Sequence, residues 1–90
     1  MNEERRKKIR EMFSRFERMS AALEDLQCET EYVREEEEDY LRGMPESIAE
    51  GARGEAAGAA IEALSGAYDA FCSMEQTLQE AREYLQEALA

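Results

Sequence analysis

The chain has 90 residues, with 22 acidic and 11 basic side chains, no histidine, no tryptophan, one proline and two cysteines, for a net charge of −11. That length fits one domain with a thin core. Without histidine there is no His general base, Ser–His–Asp triad or mixed His/Cys zinc site, and two cysteines are too few for a disulfide framework.

The charge is uneven. Residues 1–18 hold seven Lys/Arg against four Glu, net +3, while residues 19–90 hold four Arg against eighteen acids, net −14. An acidic body disfavours direct nucleic-acid binding and suits a basic partner. The opening "MNEERRKKIREMF" lacks the apolar core of a secretory signal, and no apolar run approaches a membrane span. The expected location is the cytoplasm, with reduced thiols and no membrane contact.

The first expected helix covers residues 3–42. Asn2 suits its N-cap, with Glu3 and Glu4 in the first turn where the helix dipole favours acids. Ile9, Met12, Phe16, Met19, Leu23, Leu26, Val33 and Tyr40 follow in steps of three and four, with Thr30 and Glu37 filling the gaps. That is a heptad seam of period 3.5. Gly43 suits the position just past a helix end, and Pro45 follows it. The connection, residues 43–53, includes a single helical turn beginning at Pro45.

The second expected helix covers residues 54–89. Its seam is Ala57, Ala60, Leu64, Ala67, Phe71, Met74, Leu78, Ala81, Leu85 and Ala88. Two long helices with a short connection fold back antiparallel. Pairing the seams so that residue numbers total 97 aligns ten layers, from Tyr40 with Ala57 to Ile9 with Ala88. This register brings Arg6, Lys8 and Arg10 near Glu80, Glu83 and Glu87, a cross-hairpin pairing of charges. It sets Cys28 and Cys72 opposite aspartates rather than each other.

The fold class is therefore all-α, a long antiparallel helical hairpin. One two-helix seam is a thin core, and the apolar stripe is wider than two positions in seven. Phe13, Ala22, Ile61, Ala63, Tyr68 and Ala70 flank the seam and form the expected dimer face of a homodimeric four-helix bundle. Gly58, Ser65 and Gly66 leave one side of the second helix shallow, which fits either close approach of another helix or looseness at the hairpin end.

The run "EYVREEEEDYLRGMPES" holds the strongest candidate surface. Glu35, Glu38 and Asp39 project outward, Glu36 lies on the flank and Glu37 faces the seam. Arg34 can pair with Glu37 or Glu38, and Arg53 is a second partner for Glu37. Glu35, Glu36, Glu38 and Asp39, with Met44, Pro45, Glu46 and Ser47 of the turn, are the candidate partner-binding residues. As a Mg²⁺ site the run is poor. Glu35 and Glu38 have E-x-x-E spacing, but the facing acids Glu62 and Asp69 are seven apart, Glu80 and Glu83 lie at the far end, and no basic phosphate clamp is near. No cofactor is expected, and an enzyme is not.

The acidic run, Tyr40, the turn Met44-Pro45-Glu46-Ser47, Arg53-Gly54-Glu55 and the Arg5-Arg6-Lys7 start together resemble small helical hypothetical proteins of phages, prophages and other mobile elements of Firmicutes. Ile48 replaces that family's usual leucine, and Gly51-Ala52 replaces its serine cap, weakening the start of the second helix. The family has no established activity, so the resemblance implies a mobile-element origin and no mechanism. The expected function is a non-enzymatic interaction module with an unknown protein partner. The alternative is an acidic inhibitor that mimics a nucleic-acid backbone to block a host defence nuclease or DNA-binding protein, and a Mg²⁺-dependent nucleotide hydrolase is third.

Overall fold

A computed structural model describes residues 1–90 without a break, and two long helices dominate it. Helix α1 spans Glu3–Arg42, α2 is a single turn at Glu46–Ala49, and α3 spans Ala52–Leu89. The α1 start follows from its cap: the Asn2 side chain accepts the Arg5 N–H at 2.9 Å. Its end differs from a left-handed glycine stop, since Gly43 keeps right-handed geometry at φ −81° and no residue has positive φ. The Gly43 N–H still reaches the Asp39 carbonyl at 3.0 Å, and that of Met44 the Leu41 carbonyl at 3.1 Å. Pro45 stops the helix instead, because proline disfavours helical geometry in the residue before it.

Pro45 caps α2 rather than forming its first residue, and its carbonyl accepts from Ile48 and Ala49, both at 2.9 Å. Helix α3 begins two residues before the expected position, with Gly51 at its N-cap and no side-chain cap bond. At Gly54 the chain passes so close to α2 that a Cβ would overlap the backbone of Ala49. Glycine is obligatory there for space alone. Gly58 and Gly66 have nothing near an added Cβ, so the close approach expected on that side does not occur within the chain.

Helices α1 and α3 pack antiparallel in a rod of 69 × 15 × 14 Å. Ser20 Oγ donates to the Glu75 carboxylate at 3.4 Å, Gln27 Nε2 donates to it at 2.9 Å, and the Arg82 guanidinium lies 5.5 Å from the Phe13 ring centre. The residue numbers of Ser20–Glu75 and Phe13–Arg82 each total 95, and those of Gln27–Glu75 total 102. The expected 97 lies inside that spread.

The rotation of the helices differs from expectation. Ile9, Phe16, Leu23, Thr30 and Glu37 do face the seam, but the layers between them are filled by Phe13, Ser20, Gln27, Arg34 and Leu41. Met12, Met19, Leu26, Val33 and Tyr40, expected in those layers, are exposed. Helix α3 does the same: Ile61, Tyr68, Glu75, Arg82 and Leu89 turn inward, and Met74, Ala81 and Ala88 are exposed. The stripe on each helix occupies three positions in seven, whereas one helix–helix contact covers about two. The larger Phe13, Ile61, Tyr68 and Leu89 take the seam, while α3's competing flank is mostly alanine. Only Leu23, Gly54 and Ala57 are buried.

The cross-hairpin ion pairs expected of the basic end are also absent. All ion pairs lie within α1, and Arg10 binds Glu3 of its own helix. Arg6 instead donates to the Leu89 carbonyl. The last carbonyls of a helix lack internal partners, and a cation at that end is favoured by the dipole.

The glycines give a stability test with an internal control. Gly54→Ala should destabilise by about 1–3 kcal/mol, the range for overpacking. Gly66→Ala should stabilise by up to about 1 kcal/mol through helix propensity. Urea unfolding of both variants against the parent checks the opposite signs.

Candidate functional site

The acidic run lies on the last turns of α1, at the loop end of the rod. Glu35, Glu36 and Asp39 are exposed, and Glu37 and Glu38 are half-buried. Glu37 faces the seam as its heptad position requires. Arg34 is held between Glu31 and Glu38, each at 3.7 Å. That distance is an ion pair, not a hydrogen bond, and Arg34 Nε has no hydrogen-bond partner. Asp39 pairs with Arg42 at 2.6 Å. Neither Glu37 nor Arg53 forms an ion pair.

The turn stands directly beside these acids. Met44 is half-buried, and Pro45, Glu46 and Ser47 are exposed. Met44 and Pro45 line an open cleft of about 380 Å³ together with Asp39, Tyr40, Gly43, Ile48 and Arg53. Of the candidate partner-binding residues, the fold thus brings Asp39, Met44 and Pro45 into one depression. Glu35, Glu36, Glu38, Glu46 and Ser47 lie outside its lining. Tyr40, Ile48 and Arg53 join it without having been singled out for binding. The heptad pattern assigned Tyr40 to the core. The signal for Ile48 was its place on a one-turn helix, too short to bury it.

The expected dimer face divides. Phe13, Ile61 and Tyr68 are half-buried and belong to the hairpin seam, while Ala22, Ala63 and Ala70 are exposed. The Tyr68 phenol titrates above its usual 10.0, chiefly because of neighbouring Cys72 and then Glu31. Cys28 and Cys72 are free thiols. Nowhere do three or more Asp, Glu or Cys side chains converge as a metal site, and Glu35 and Glu38 are no exception. No helix is long and apolar enough to cross a membrane.

No protein-family model, curated protein or solved structure matches the chain.

The charge pattern of the run has a measurable cost. Glu35 has Glu31 four residues before it and Asp39 four residues after it. Like charges at that spacing destabilise a helix by about 0.2–0.5 kcal/mol per pair. Glu35→Lys turns both repulsions into attractions and should raise stability by about 0.8–2 kcal/mol at low salt. Thermal or urea unfolding at low and high salt should show the gain shrinking as salt rises.

Proposed function

We propose that the chain is a non-enzymatic protein–protein interaction module, encoded by a phage or related mobile element, that presents its loop end to a partner. The partner's matching surface is basic and carries an apolar side chain. The observation that carries this reading is the cleft where Tyr40, Met44, Pro45 and Ile48 meet Asp39 and Arg53. Tyr40 and Ile48 are exposed large hydrophobic residues at the acidic end of the rod. An apolar anchor within a charged rim is the usual anatomy of an interface. The acids contribute steering and selectivity toward a basic surface more than affinity.

The second reading, an acidic mimic of a nucleic-acid backbone, is favoured by a different observation. Glu17, Glu24, Glu31 and Glu38 recur every seven residues and form a row of carboxylates along one side of α1. Binding through such a row depends on charge and not on the turn.

The two readings separate in one experiment. The parent chain and a Met44→Glu/Ile48→Glu variant serve as baits for host proteins, with the captured partner identified by mass spectrometry. The loop-end reading predicts that the variant captures that partner at least about tenfold less well, a loss of about 1.4 kcal/mol. Its helical circular dichroism should be unchanged, and capture by the parent should survive high salt in part. Mimicry predicts capture that is insensitive to the variant and abolished by salt. Capture unchanged in the variant would overturn the loop-end reading.

A further inference from the structure

The residues displaced from the seam form a surface of their own. Met12, Met19, Leu26, Val33 and Tyr40 recur every seven residues along α1, each one position before an inward-facing residue. On α3 the same relation holds for Ala60, Ala67, Met74, Ala81 and Ala88. In an antiparallel pair, two ladders with that relation flank the seam on the same side. An apolar trough of about 430 Å³ between the helices confirms it, with Met19 and Leu23 on one wall and Met74 and Leu78 on the other. The opposite side is polar, bearing Glu17, Glu24, Glu31 and Glu38 on α1 and Ser65 and Gln79 on α3. The hairpin has one apolar broad side and one charged one.

We infer that a second copy of this chain covers the apolar side, with the two rods antiparallel, in a four-helix bundle. Length is the first reason: from Met12 to Tyr40 the ladder runs about 42 Å at helical rise, which only another long helical rod matches. Area is the second. A compact protein of 10.3 kDa exposes about 5,400 Å² by the size scaling. The hairpin exposes 6645 Å². The excess, about 1,200 Å², exceeds the roughly 800 Å² per partner of a standard interface. The charged reverse side stops assembly at two copies.

Charge sets the direction. At the terminal end, residues 1–18 and 79–90 carry eight Lys/Arg against seven Glu, net +1. At the loop end, residues 31–66 carry three Arg against ten acids, net −7. Antiparallel rods set each acidic end beside the other copy's terminal end and keep the two acidic ends apart. The α3 ladder, Ala-Ala-Met-Ala-Ala, reads the same in both directions. Two antiparallel copies of α3 centred on Met74 therefore meet alanine on alanine, and small residues allow close approach. Tyr40, the last rung of the ladder, also borders the loop-end cleft; the arrangement leaves Met44, Pro45 and Ile48 free, one set at each end of the bundle.

Sedimentation equilibrium at tens of micromolar should give twice the 10.3 kDa chain mass. Met19→Glu/Met74→Glu should give the single-chain mass, and the milder Met74→Ala, which leaves the hairpin seam intact, should weaken the dimer about tenfold. Glu17→Gln on the charged side should leave the dimer unchanged, as should Met44→Glu/Ile48→Glu at the loop end. Spin labels at Ser47→Cys, in a Cys28→Ser/Cys72→Ser background, should lie on the order of 60 Å apart, the length of α1. A monomeric parent chain, a dimer that persists in Met19→Glu/Met74→Glu, or labels within about 30 Å would each overturn the inference.

Discussion

Two helices share one interface, and that interface is too narrow for the apolar surface these two helices carry. Each helix has apolar groups on three heptad positions, and the hairpin contact encloses two of them. On α3 the choice follows bulk: Ile61, Tyr68 and Leu89 fill space between the helices better than the alanines that dominate the competing flank. On α1 it does not, since the enclosed positions include Ser20, Gln27 and Arg34 while Met12, Met19, Leu26, Val33 and Tyr40 are left outside. What loses that competition is displaced as a set to one side, and the sidedness of the rod is the direct result.

The seam that wins is not uniformly apolar. Ser20, Gln27 and Glu75 form a hydrogen-bonded group in its middle, and Arg82 lies against Phe13. Polar residues in a helical seam give up stability and select a register, because slipping the helices would leave them unpaired. The Glu75 carboxylate serves this purpose here by accepting from two residues seven apart on α1. The cost is a core reduced to Leu23, Gly54 and Ala57, which makes burial of further surface all the more valuable.

The loop end follows a different logic. Its acids oppose the α1 dipole, which favours cations at a helix C-terminus, and they repel one another. Arg34 and Arg42 offset part of this through local pairs. The close passage of Gly54 over Ala49 holds α2 against the start of α3, and Ile48 stays partly exposed beside it. Local strain in charge and an exposed apolar residue occur together at this one place. That coincidence is the basis of the proposal that the loop end meets a partner.

The two long helices, the Asn2 cap and the antiparallel return were legible in the sequence, because each depends on local signals: Asn2 before an acidic first turn, Pro45 in a short connection, apolar steps of three and four. That Tyr40, Ile48 and Arg53 meet in one cleft was not legible, since they come together only through the path of the chain around Gly54. Nor was the rotation. A stripe three positions wide is compatible with either of two seams, spaced i to i+3 or i to i+4, and nothing local ranks them. The sequence by itself determined two amphipathic rods and their direction, because helical periodicity and turn chemistry act within a few residues. Only the tertiary structure decided which flank was enclosed and which was left open, because that depends on how side chains from both helices fill one shared space.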